Sequence, residues 1–234
     1  FLEENIFVDG VMGVSAGAIH GCSYVSNQAG RSIRYYLRYC GDKRFMSFHS
    51  LITTGSIVNE QFCYHEIPEV LDPFDHVAFE TSTVDFYVVC SNLESGKAEY
   101  ILCPTLQGRQ MDYLLASASM PLLSRTVHIG EKQYLDGGVC DSIPVKAMAD
   151  LGYDKLVVVL TQPDGYEKKP FPMGAANIRY RRYPRFLEAL RQRHENYNQS
   201  LALVRQMQKD GKAFAIYPSE NLHIHRAEKD VGKI

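Results

Sequence analysis

"GVMGVSAGAIHG" (Gly10–Gly21) sets the terms for everything around it. An apolar run of strand length, Gly10–Val14, passes straight into a small-residue, helix-like run, Ala16–Val25. Ser15 stands at the junction, inside Gly13-Val14-Ser15-Ala16-Gly17, which fits Gly-x-Ser-x-Gly. This spacing predicts a nucleophile elbow, in which a strand turns abruptly into a helix and a strained serine at the corner holds its hydroxyl exposed. Glycines two residues to either side are expected, because side chains there would collide with neighbouring strands. The helix N-terminus behind the serine offers N–H groups and a dipole that favour an oxyanion. A glycine-rich turn that merely packs closely is the plain alternative. The β-type run before Ser15 and the helix start after it favour the elbow.

A nucleophilic serine needs a base. His20 lies five residues along the helix, about 140° round from Ser15 at 100° per residue, so it points away. The second informative stretch is "YLDGGVCDSIPV" (Tyr134–Val145). Asp136 ends a short apolar strand and is followed by Gly137 and Gly138, which would let another backbone approach. An Asx turn, with the glycines serving positive φ, reads the same residues without any chemistry.

The chain has 234 residues, 45% of them apolar, enough for one large domain with a substantial core. A net charge of −2 argues neither for nucleic acid nor for an acidic tail. The six cysteines lie in apolar contexts with no Cys-x-x-Cys pair, which excludes a zinc ribbon or thioredoxin-type motif. Buried reduced thiols in the cytoplasm are the expectation. No stretch approaches the ~18 apolar residues of a spanning helix. The chain opens at Phe1 without a methionine and stops at Ile234 without a closing element, so a fragment is expected: a single domain over 1–234, truncated at the N-terminus, with truncation at the C-terminus open as well.

Helices are expected at Gln28–Tyr39, Glu60–Val70, Arg109–Ser119, Val145–Leu151 and Arg185–Asp210. Pro144 falls in the first turn of the fourth, with Ser142 or Asp141 as its cap. Val84–Leu93 and Ala98–Cys103 flank a Glu-Ser-Gly-Lys turn and predict a hairpin, as do Thr126–Ile129 and Gln133–Leu135. Lys155–Thr161 reads as a strand covered on both faces, and Ala213–Tyr217 as a last strand. Strands interleaved with helices predict an α/β fold, a mostly parallel sheet with helices on both faces.

Taken together, Gly13–Gly17 and Asp136–Gly138 resemble the patatin-like phospholipase family, which pairs a Gly-x-Ser-x-Gly elbow with a later Asp-Gly-Gly or Asp-Gly-Ala motif. Leu114–Gly138 and Gly152–Pro163 are similar to that family too, and the resemblance runs over most of the chain. It implies a three-layer α/β/α sandwich and hydrolysis of lipid carboxylic esters through an acyl-enzyme, with no cofactor. It also implies a Ser–Asp dyad, with Ser15 as nucleophile and Asp136 as general base. An aspartate with an ordinary pKa near 4 is a feeble base for a hydroxyl, so such a dyad needs tight positioning or a dry pocket. The family's glycine-rich oxyanion loop lies before the elbow, and nothing in Phe1–Gly13 matches it, so the fragment is expected to be a poor catalyst. A non-catalytic lipid-binding or regulatory member is one rival.

An α/β-hydrolase triad with His223 or His225 as base is the other, disfavoured because that fold needs several strands before the elbow and fourteen residues precede Ser15. His223, His225, Cys63 and His65 lack a recognised ligand spacing, so no metal is expected. Asn177–His194 holds Arg179, Arg181, Arg182 and Arg185 among aromatics. The run reads either as a solvated helix face or as a peripheral contact for anionic headgroups, and not as a nucleic-acid module. If the arginines dock a membrane, hydrolysis of anionic vesicles by the full-length protein will fall as salt rises, while hydrolysis of a soluble short-chain ester will hold steady. Parallel salt curves for the two substrates would remove the docking role.

Overall fold

The computed structural model describes residues 1–221 and 228–233. In chain order the elements are β1 (Gly10–Val14), α1 (Ala16–Val25), α2 (Arg31–Tyr39), α3 (Phe48–Thr54), α4 (His76–Glu80), β2 (Asp85–Asn92), β3 (Ala98–Leu102), α5 (Arg109–Ser117), β4 (Val127–Ile129), β5 (Lys132–Asp136), α6 (Val145–Asp150), β6 (Leu156–Val159), α7 (Met173–Arg179), α8 (Pro184–Lys209) and β7 (Ala213–Ile216). A wide π-helix, Gln61–Leu71, lies between α3 and α4. It carries Pro68, whose missing N–H cannot join an ordinary α-helical ladder.

Five strands form a mixed central sheet built around β2. β1 runs parallel to β2, with Gly10 opposite Asp85 and Val14 opposite Val89. β3 runs antiparallel, with Val88 opposite Ile101 and Cys90 opposite Glu99. β5 is antiparallel as well, with Cys90 opposite Asp136 and Asn92 opposite Tyr134, and β4 extends the sheet beyond β5. A strand has two edges, and β3 occupies one of them. β1 and β5 therefore share the other, β1 up to Val89 and β5 from Cys90 onward.

Strand alternation divides the core between two faces. Phe86, Val88, Cys90 and Tyr134 pack with Ala18, Cys22 and Val25 of α1 and with Leu114 and Ala116 of α5. The α1 trio repeats at i, i+4 and i+7, one stripe of a helix. On the opposite face, Leu135 joins Leu93 and Val139 against Phe186, Leu187 and Leu190 of α8 and Ala176 of α7. The layered α/β architecture expected from the sequence is present, but the central sheet is mixed rather than mostly parallel: among the described residues β1–β2 is its one parallel pairing and the other three are antiparallel.

Three local readings are corrected. β6 and β7 form a separate two-stranded parallel sheet, and β6 is covered on one face only. Leu156 and Ala215 are buried with residues of α6 and α8, while Val159 and Phe214 are 63% and 65% exposed. A continuous apolar run fits a one-sided strand as readily as a two-sided one. Helix α6 has Pro144 at its cap, with no side-chain cap bond from Ser142 or Asp141. The arginine-rich run is broken: α7 ends at Arg179 and Pro184 starts α8, where a missing N–H is harmless. α3, α4 and α7 are too short to show a clear period and were not foreseen.

No helix among the described residues is long and apolar enough to cross a membrane. All six cysteines are free thiols, four of them buried. Burial pushes the Cys22, Cys63 and Cys103 thiols up to about 12 and the Cys140 thiol up to about 11. The thiolate is the reactive form. Ellman's reagent at pH 8 should therefore react slowly with the native protein and rapidly with all six thiols in guanidinium. Fast native labelling would contradict the packing around these residues.

Candidate active site

The end of β1 holds Ser15 in an unusual backbone state. Its φ is +55° and its ψ −122°, outside the helical and strand regions and costing about 1–3 kcal/mol for a residue with a Cβ. Ser15 follows β1 and immediately precedes α1, so the chain reverses from strand to helix across this one residue. Two groups hold it. The Ser15 N–H donates to the Ser117 hydroxyl at 2.9 Å, and that hydroxyl donates to the Val89 carbonyl at 2.7 Å. Ser117 is fully buried at the end of α5, so the relay is shielded from water. The Ser15 side chain makes no capping bond to α1, which leaves its oxygen out of the helix's own hydrogen bonding.

The two flanking glycines differ in their reasons. A Cβ on Gly13 would lie 2.3 Å from the Ala18 Cα, so glycine is what lets α1 fold back against β1. A Cβ on Gly17 would meet nothing within 4 Å, against the expected collision. Ala16 and Gly17 are exposed, and they sit in the first turn of α1, where N–H groups have no intrahelical acceptor. The space over Gly17 lies beside the strand–helix corner and is open.

Asp136 closes β5 and is 6% exposed. Its N–H donates to the Ser119 carbonyl at 2.8 Å, and its carbonyl accepts from the Ser91 hydroxyl at 2.8 Å. Its Oδ1 accepts from the Gly138 N–H at 2.8 Å. The Asx-type bond weighed from the sequence is thus present, but positive φ is not the reason for the glycines, since neither has it. A Cβ on Gly137 would lie 2.1 Å from the Val89 carbonyl oxygen. Glycine at 137 permits the close backbone approach that was the alternative reading.

Register brings the two motifs together. The last residue of β1 pairs with Val89, and the last residue of β5 pairs with Cys90, its neighbour on the same edge. Ser15 and Asp136 therefore leave their strands at one point of the sheet, more than a hundred positions apart in sequence. The Val89 carbonyl links the two halves: the hydroxyl anchoring Ser15 donates to it, and Gly137 packs on it. A cavity of about 250 Å³ reaches Tyr64 and Ser119, but its lining, which includes Glu60, Asp112, Arg125 and His128, contains neither Ser15 nor Asp136. Tyr64 lies within electrostatic reach of Asp136. Burial pushes its phenol well above the ordinary range, and nearby groups including the Asp136 carboxylate add to this.

The other candidates lie elsewhere. Arg179, Arg181, Arg182 and Arg185 are all exposed around the α7–α8 turn. His20 is exposed on α1, while His223 and His225 lie outside the described residues. Cys63 donates to the Phe45 carbonyl at 3.2 Å, a packing contact. Among the described residues no three His, Cys, Asp or Glu side chains gather as a metal would need. Ser91, Ser117 and Ser119 escaped the sequence reading. For Ser117 and Ser119 the visible signal is the small-residue run Ala116–Ser119 ahead of Pro121, which said nothing of hydrogen bonds, and Ser91 carried none.

Residues 1–149 match the model of the family described as patatin-like phospholipase, and residues 183–234 match a domain of unknown function (DUF6363). The chain is 29% identical over 157 residues to the uncharacterised protein YjjU of Escherichia coli (strain K12), a match covering 65% of this chain and 43% of that relative.

The steric difference between the glycines gives a test. Gly13→Ala should cost about 1–3 kcal/mol or more, since a backbone must move, lowering the melting temperature by roughly 2–4 °C per kcal/mol. Gly17→Ala should leave the melting temperature within about 1 °C. Ser117→Ala, which strands the Ser15 N–H and the Val89 carbonyl, should cost about 1–3 kcal/mol. Equal melting temperatures for Gly13→Ala and Gly17→Ala would contradict the close approach of α1 to β1.

Proposed function

The chain belongs to the patatin-like phospholipase family, a family of lipid acyl hydrolases, and from that premise we propose that it cleaves lipid carboxylic esters with Ser15 as nucleophile and Asp136 as general base. The observation that carries this reading is the shared edge of β2, which delivers the ends of β1 and β5 to one point. The Ser15 hydroxyl attacks the ester carbonyl and gives its proton to the Asp136 carboxylate. The tetrahedral oxyanion is received by N–H groups at the start of α1, where the helix dipole favours negative charge. Collapse releases the alcohol, which takes the proton from Asp136, and leaves an acyl group on Ser15. Asp136 then draws a proton from water as the water attacks the acyl carbonyl; collapse releases the carboxylic acid, and the Ser15 oxygen takes the proton back from Asp136, restoring both groups. This scheme places no demand on a metal or organic group.

Three features support the assignment of roles. The unusual φ of Ser15 turns its side chain out of both the strand and helix ladders. The buried carboxylate of Asp136 is held by the Gly138 N–H, so it arrives pre-oriented. The open space at Gly17 leaves room for a substrate beside the helix start. The exposed arginines are proposed as the contact with anionic headgroups at a membrane surface.

Hydrolysis of p-nitrophenyl butyrate by the full-length protein tests these roles. Ser15→Ala should reduce kcat/KM to background, a loss of about 10⁴-fold or more. Asp136→Asn should lower kcat by roughly 100–10,000-fold with KM little changed. Full activity in Asp136→Asn would exclude the dyad. Wild-type protein without activity would favour the lipid-binding rival.

A further inference from the structure

The segment that matches a domain of unknown function begins at residue 183, and α8 is its first element. One side chain of that helix reaches the turn after Asp136. Arg193 donates from Nε to the Gly138 carbonyl at 2.6 Å, and the Ser142 hydroxyl donates to the same carbonyl at 2.7 Å. On its other side, the Gly138 N–H donates to Asp136 Oδ1. Residue 138 is therefore gripped at both ends: its N–H holds the carboxylate, and its carbonyl is held from α8. A Cβ built on Gly138 would lie 3.1 Å from Asp136 Oδ1 and 3.6 Å from Arg193 Nη2, so carboxylate and guanidinium flank the same point.

Two successive glycines make an intrinsically loose turn, because glycine has the largest conformational freedom to lose. A carboxylate hung from such a turn needs an external brace. α8 is rigid where it supplies one. Phe186 and Leu190 are fully buried and pack with Leu135 and Val139, which bracket the turn. A guanidinium suits the task because its planar fork presents several donors in fixed geometry, which an ammonium does not.

We propose that Arg193 is a positioning residue, through which the segment beyond the patatin-like match fixes the Asp136–Gly138 turn and so the direction of the general base. The inference rests on Asp136 acting as that base. It also gives the α8 segment a role: a brace for the acid arm of the site.

Arg193→Met, which keeps the apolar stem, and Arg193→Lys, which keeps the charge and one donor, test it in the full-length protein. On p-nitrophenyl butyrate, Arg193→Met should lower kcat about 10–100-fold with KM changed less than about threefold, and Arg193→Lys should recover part of the loss. Amide hydrogen exchange supplies a readout independent of catalysis. Arg193→Met should speed exchange over 136–140 about tenfold while the amides of β2 keep their protection. Unchanged exchange at that turn overturns the brace, whatever the activity. Unchanged kcat in an active protein, or faster exchange spread across β2, also overturns it. A wild-type protein that fails to hydrolyse the ester counts instead against the hydrolase reading.

Discussion

One edge of β2 serves two strands that arrive from opposite directions. β1 runs with it and stops at Val89; β5 runs against it and stops at Cys90. Neither can extend further without colliding with the other. Each chain must therefore leave the sheet at that point, β1 through the reversal at Ser15 and β5 through the Gly137–Gly138 turn. The Val89 carbonyl sits at the junction, accepting from the Ser117 hydroxyl and packed by Gly137. The strained φ of Ser15, the buried Ser117 and the missing side chain at 137 are all consequences of this crowding.

The same geometry explains which parts of the fold were legible in the sequence. Gly13 and Gly137 stood out as letters, and each proves to be a place where a backbone approaches within reach of a Cβ. Gly17 stood out equally and has open space beside it, so the pattern alone could not separate a steric glycine from one at a site mouth. Hairpins at β2–β3 and β4–β5 were visible because their turns and alternation are local. The end-to-end meeting of β1 and β5 was not, since it depends on register between segments far apart in sequence. Ser91 and Ser117 stayed hidden for a related reason: their hydroxyls are identified by backbone acceptors on other elements, while Ser119 meets Asp136 through its own backbone carbonyl, which no side-chain letter signals.

The arginines of one stretch differ in their surroundings, which composition alone does not distinguish. Arg179, Arg181, Arg182 and Arg185 drew attention by density and are all exposed. Arg193, farther along the same run, reaches the Asp136–Gly138 turn. Its helix contributes Phe186, Leu187 and Leu190 to the core beneath β5. Residues matched by two different family models thus share one hydrophobic cluster next to the proposed base.

The account stands on a serine and an aspartate acting as a pair. The most direct measurement is the rate and position of covalent labelling by a fluorophosphonate, read by mass spectrometry of peptides from the full-length protein and from its Asp136→Asn variant. The account predicts a single adduct on the peptide carrying Ser15, formed about 100-fold or more slowly when Asp136 is replaced. An adduct on another residue, or a Ser15 adduct that forms at the same rate in both proteins, would contradict it.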